Sequence, residues 1–97
     1  MRYIRVHWQH DEPTEPIQVI SEVDPNDWEI RKVELFADGR VGVADRDHET
    51  ESTWLSIEQV PADQDIAADP QFTLESIDAE TFKSIWNRAG QTAKSRE

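Results

Sequence analysis

The stretch "WEIRKVELFADGRVGVAD", residues 28–45, decides the fold of this chain, because its two halves can pair in two registers with different consequences. If Asp38 and Gly39 formed a two-residue turn, Leu35 would face Gly42, and Val41 and Val43 would fall on the opposite face. If Ala37 and Asp38 form a type I turn and Gly39 takes the left-handed bulge position, Phe36 faces Arg40, Leu35 faces Val41 and Val33 faces Val43. Only the second register gathers all four aliphatic side chains on one face, so the stretch reads as a glycine-bulge hairpin. It also sets Arg31 opposite Asp45, an expected exposed ion pair across the strands.

Upstream, residues 3–8 alternate. Ile4, Val6 and Trp8 share one side while Tyr3, Arg5 and His7 share the other, the period of a half-buried strand. "HDEPTEP" places Pro13 and Pro16 among acids and reads as a loop, since neither proline can donate to a ladder. Ile17, Val19, Ser21 and Val23 alternate as a second strand, closed by the turn formers "DPND". Downstream, "DRDHETES" is a polar fraying end, and "TWLSIEQV" has the aromatic and β-branched content of a fifth strand over residues 53–58. Pro61 opens a short helical turn that must stop ahead of Pro70.

The last helix has a start, a stripe and a stop. Asp78 caps it, Ile77 and Phe82 form a hydrophobic staple, and Phe82, Ile85, Trp86 and Ala89 recur at three- and four-residue steps before Gly90. Thr81 stands where a capping box would carry glutamate. The expected architecture is a single α+β domain over residues 1–90, an antiparallel meander of about five strands covered by a C-terminal helix, with a flexible tail at 91–97. Trp86 is the expected anchor of that helix, and the four tryptophans are expected in the core or at its margin, one of them partly exposed.

Composition narrows the function classes. A chain of 97 residues supports one modest core. It has no cysteine, which removes disulfides, thiolate-bound zinc and thiol nucleophiles together. With 21 acids against 10 bases the formal charge is −11, which repels phosphate backbones and anionic lipid and favours a basic protein as partner. Neither a signal sequence nor a long apolar span is visible, so the expectation is a cytoplasmic protein with no nucleic-acid or membrane partner.

No catalytic spacing survives inspection. His7 and His10 point to opposite faces of a strand, so with Asp11 they do not make a metal site, and none is expected. His10 is expected instead to bond the backbone of its own loop. Asp45, Asp47, Glu49 and Glu51 are spaced like the opening of a calcium loop, but Thr50 replaces the required glycine and Ser56 the closing glutamate. No glycine-flanked serine or phosphate-binding loop occurs, and no cofactor is expected.

Taken together, "YIRVHWQHDEPTEP", "ISEVD", "WEIRKVELFADGRVGVAD", "DPQF" and the terminal "F..IW" resemble a family of small bacterial domains of unknown function, over about residues 3–86. Such domains resemble, in size and acidity, the immunity proteins that neutralise bacterial toxins. The leading expectation is therefore a protein-binding module, an inhibitor or immunity-like partner of a basic protein, binding through Glu29, Asp47, Glu49 and Glu51. A second is a small ligand-binding or enzymatic domain whose cleft beside the proline loop uses His10 with Asp11 or Glu12 as acid and base. The third is a structural protein without a discrete site.

Overall fold

The structure, a computed structural model, describes residues 1–50 and 53–95. Strands β1 (Arg2–Trp8), β2 (Gln18–Val23), β3 (Glu29–Leu35) and β4 (Val41–Asp45) follow one another as an antiparallel meander. A short helix α1 (Asp63–Ala67), strand β5 (Phe72–Ile77) and helix α2 (Ala79–Ser95) complete the chain. The α+β class, the five-stranded antiparallel sheet and the C-terminal helix match the expectation.

The central hairpin has the chosen register. Leu35 faces Val41, Val33 faces Val43 and Arg31 faces Asp45. Gly39 sits at φ 91°, left-handed space that a Cβ would strain, and its N–H closes the turn onto the Phe36 carbonyl at 3.0 Å. The "DPND" turn is held by Asp24, whose Oδ1 accepts the N–H groups of Asn26 and Trp28, both at 2.9 Å. Asp27 adopts φ 69° there, a conformation short polar side chains tolerate.

The fifth strand lies elsewhere than expected. Residues 53–58 form no strand; β5 is Phe72–Ile77, and it pairs with β1, giving the order β4-β3-β2-β1-β5. The meander therefore stops at β4, and the chain crosses one whole face of the sheet to reach its other edge. The crossover is anchored along the way by Thr53 Oγ1 to Glu34 Oε1 at 2.7 Å, Ser56 N–H to Glu29 Oε1 at 2.9 Å, and Arg2 Nη2 to the Pro61 carbonyl at 2.8 Å. Its backbone partners are largely side chains rather than a neighbouring strand. The apolar groups that suggested a strand face outward, with Trp54 61% and Ile57 90% exposed.

The other face carries α2. Asp78 Oδ1 accepts the Thr81 N–H at 2.7 Å, as an N-cap should, and Phe82 is fully buried against Ile20, Val33 and Ala89. The Tyr3 ring lies 5.4 Å from that of Phe82, tilted at 40°, so the β1 side holding Tyr3, Arg5 and His7 is the helix side. Trp86 is only half-buried, and Trp28 and Trp54 are exposed, so the tryptophans frame the core rather than fill it. The helix also passes through Gly90 and continues to Ser95, because a glycine within a helix costs only about 1 kcal/mol and need not end it. Among the described residues no helix is long and apolar enough to cross a membrane.

Arg31 does not make the expected pair with Asp45. Its guanidinium grips the buried carboxylate of Glu22 with Nε and Nη2, the latter at 3.0 Å, and lies over the rings of Phe82 and Trp86 at 5.0 and 5.2 Å. A planar fork under two aromatic faces is better satisfied there than at the sheet margin. Asp45 instead accepts the N–H groups of Asp47 and His48, both at 2.8 Å, which turns the chain back along β4. The Thr50 N–H then reaches the Val43 carbonyl at 3.0 Å, covering the edge of that strand.

Candidate functional site: an acidic cleft beside the proline loop

Beneath the crossover, on the face opposite α2, a cleft of about 390 Å³ opens between the proline loop and the exposed Trp54. Thr14, Glu15 and Pro16 form one wall, and Lys32, Glu34 and Phe36 of β3 and its hairpin turn form the floor. Strand alternation puts Lys32, Glu34 and Phe36 on this face together, while Val33 and Leu35 go to the helix side. The hairpin register that gathered the aliphatics thus also gathered these polar groups.

The crossover can lie this close because Gly42 has no side chain. A Cβ at Gly42 would come within 1.9 Å of Thr53 Oγ1, the same oxygen that donates to Glu34. Lys32 is held in place, its Nζ 3.0 Å from Glu29 Oε1 and 2.9 Å from the Trp54 carbonyl. Burial pushes the Glu34 carboxyl pKa up, and the charges of Glu29 and Glu15 push it further, against the opposing hydrogen bond from Thr53 and the charge of Lys32. The cleft therefore holds more carboxylates than its lysine pairs with, beside the exposed ring of Trp54, while the buried Phe36 ring is covered by Arg40 at 4.6 Å.

His10 holds the loop that forms the first wall. The Glu12 N–H donates to Nδ1 at 3.0 Å, so that nitrogen is unprotonated and Nε2 carries the hydrogen given to the Pro16 carbonyl at 2.7 Å. This is the local backbone role expected for it. Both ring nitrogens are bonded to the backbone of its own loop. Asp11 is exposed, and Glu12 accepts Thr14 N–H at 3.1 Å and Thr14 Oγ1 at 2.8 Å, bonds that lower its pKa. The cleft lies on the face opposite α2, and Thr14, Glu15, Pro16, Lys32, Glu34, Phe36 and Trp54 line it; His10, Asp11 and Glu12 do not.

The expected acidic surface does not assemble as four residues. Glu29 is buried under the crossover, accepting Ser21 Oγ at 2.7 Å as well as Ser56 N–H and Lys32 Nζ, so it is part of the interior. It looked exposed because a charged residue beginning a strand is normally solvated, and nothing in the sequence announces a later segment that folds over it. Asp47 and Glu49 are exposed on the fold-back beside β4, and Glu51 lies outside the described residues. Among the described residues no three His, Asp or Glu side chains gather as a metal would need.

Sequence reasoning missed Glu34 and Lys32. Their signal was present as the polar positions alternating with Val33 and Leu35, but it resembles any solvated strand face. Comparison with curated proteins and with solved structures found no match. The sequence model of a family described as a domain of unknown function (DUF6881) matches residues 2–91, and the chain belongs to that family.

Proposed function

We propose that this chain is a small cytoplasmic protein-binding module, an inhibitor or immunity-like partner of a basic protein, and that it takes a lysine or arginine side chain of that protein into the acidic cleft. The observation that carries the reading is the half-buried Glu34 carboxyl, raised in pKa by burial and by Glu29 and Glu15, beside exposed Trp54. An arriving cation is attracted both by the unneutralised carboxylates and by the exposed ring of Trp54. The net charge of −11 steers a basic partner toward the molecule from a distance, and exposed Asp47 and Glu49 add to that field.

Titrating oligolysine and oligoarginine peptides while following the Trp54 indole and the amides of Thr14 and Lys32 by NMR tests the reading. The expected result is saturable shifts confined to the cleft, weakened about three- to thirtyfold by Trp54→Ala, a loss of about 0.5–2 kcal/mol. Glu34→Gln weakens binding as well, and the affinity of the parent chain rises with pH as Glu34 ionises. Unchanged affinity in both variants, or equal binding of oligoglutamate, would overturn it.

A further inference from the structure

A second concave site lies on the helix face, away from the acidic cleft and independent of the function proposed for it. Between the C-terminal half of α2 and strands β1 to β4 runs a groove of about 350 Å³, within the size range of small-molecule sites. Ile20, Leu35 and Val41 make its floor, and Ile85 and Ala89 of α2 its wall. These are the residues of the main core, yet Leu35, Val41 and Ile85 remain only half-buried.

The polar rim has the opposite sign to the rest of the protein. Arg5 and Arg88 both line this groove, two of only ten basic residues in a chain with 21 acids, and among the described residues no acidic side chain lines it with them. Arg5 Nη1 lies 3.5 Å from Glu75, but its Nε is shielded from solvent and lacks a hydrogen-bond partner among the described residues. Arg88, exposed on α2, forms no ion pair among the described residues. Gln18 and Thr92 add neutral polar groups to the rim. With Arg5 and Arg88 both lining the groove, an incoming carboxylate would meet planar, charge-assisted donors that match its two oxygens.

We propose that this groove binds a small amphipathic carboxylate, an anion with a short alkyl or aryl body, with the body on Ile20, Leu35, Val41 and Ile85 and the carboxylate between Arg5 and Arg88. The apolar floor requires the body and the two guanidinium groups require the charge.

The probe is octanoate below its micelle concentration, titrated into the full chain and followed by the backbone amides of Leu35, Val41 and Ala89 and by the Arg5 Nε–H resonance. Saturable shifts at these positions are expected, with octanol at least about tenfold weaker and octylammonium not binding, because a charge-assisted hydrogen bond is worth a factor of that order. Arg88→Gln, an exposed helical change, should weaken octanoate about tenfold while leaving its circular dichroism unchanged, and Arg5→Gln should do the same where it folds. Equal binding of octanol, binding of octylammonium, or undiminished octanoate affinity in Arg88→Gln overturns the proposal. So does sedimentation showing that two copies of the chain cover the groove and that octanoate leaves the dimer intact. If Arg5→Gln does not fold, the three-probe comparison on the parent chain and Arg88→Gln decide the matter.

Discussion

Glu34 and Glu22 occupy opposite faces of the sheet and respond to pH in opposite directions. Glu34 has its pKa raised by burial first and then by neighbouring charge, so the stability it contributes is present below its ordinary value of 4.5 and lost as pH rises through the raised value. Glu34→Gln, which keeps an acceptor for Thr53, should therefore be more stable than the parent chain at pH 7, with the gain vanishing in acid. Glu22 has its pKa lowered, chiefly by the hydrogen bonds from Arg31, so its contribution is present above 4.5 and lost as pH falls through the lowered value. Glu22→Gln should be less stable at neutral pH, and the deficit should close on acidification. Urea denaturation of both variants from pH 3 to pH 7 checks the pair, and a pH-independent effect in either would contradict the assignment. Two glycines make a second comparison at this scale. Gly39→Ala places a Cβ in left-handed space and should cost about 1 kcal/mol, whereas Gly42→Ala drives a methyl into the buried Thr53 and should cost about 1–3 kcal/mol while loosening the crossover. Denaturation midpoints rank the two, and Thr53 amide exchange should accelerate only in Gly42→Ala.

Among the elements, α2 covers the cluster of Ile20, Val33, Phe82 and Ala89. Its contact with the sheet centres on Phe82, fully buried and meeting Tyr3, Ile20 and Val33, while Trp86 lies further out, 6.3 Å from the Phe82 ring and beneath the Arg31 guanidinium. Phe82→Ala should cost about 3–5 kcal/mol, a large share of the stability of a domain this size. Trp86→Ala should cost distinctly less, because a half-buried ring leaves a smaller cavity behind. Guanidinium denaturation of the two variants gives the order directly, and the reverse order would mean that α2 turns its stripe differently on the sheet.

For the whole molecule, charge opposes compactness. With a net charge of −11 the folded chain repels itself, while an exposed ion pair such as Arg40 with Asp38 contributes little. Raising NaCl from about 0.01 M to about 0.1 M shortens the screening length from about 30 Å to about 10 Å. It weakens the repulsion of many charges more than it weakens such attractions, so the thermal midpoint should rise with salt, as calorimetry can follow. A falling midpoint would show that the ion pairs outweigh the net charge.

What the sequence determined by itself was local. The hairpin register follows from Val33, Leu35, Val41 and Val43 having to share a face and from Gly39 being able to enter left-handed space. The "DPND" turn, the Asp78 cap and the role of His10 follow from side chains bonding backbone a few residues away, interactions that need no tertiary partner. Residues 2–91 match a family described as a domain of unknown function. Tertiary structure alone decided which strand became the fifth. "TWLSIEQV" and "FTLESI" have similar strand content, and the choice fell to the open edge of β1, which Phe72–Ile77 reaches after the crossover. It also decided the site: Glu29 is interior and Glu34 lines a cleft because a segment 19 residues further along, at Thr53, lies over β3. Alternation along a strand says which side chains share a face, but the face becomes water, core or cleft according to what the rest of the chain places upon it.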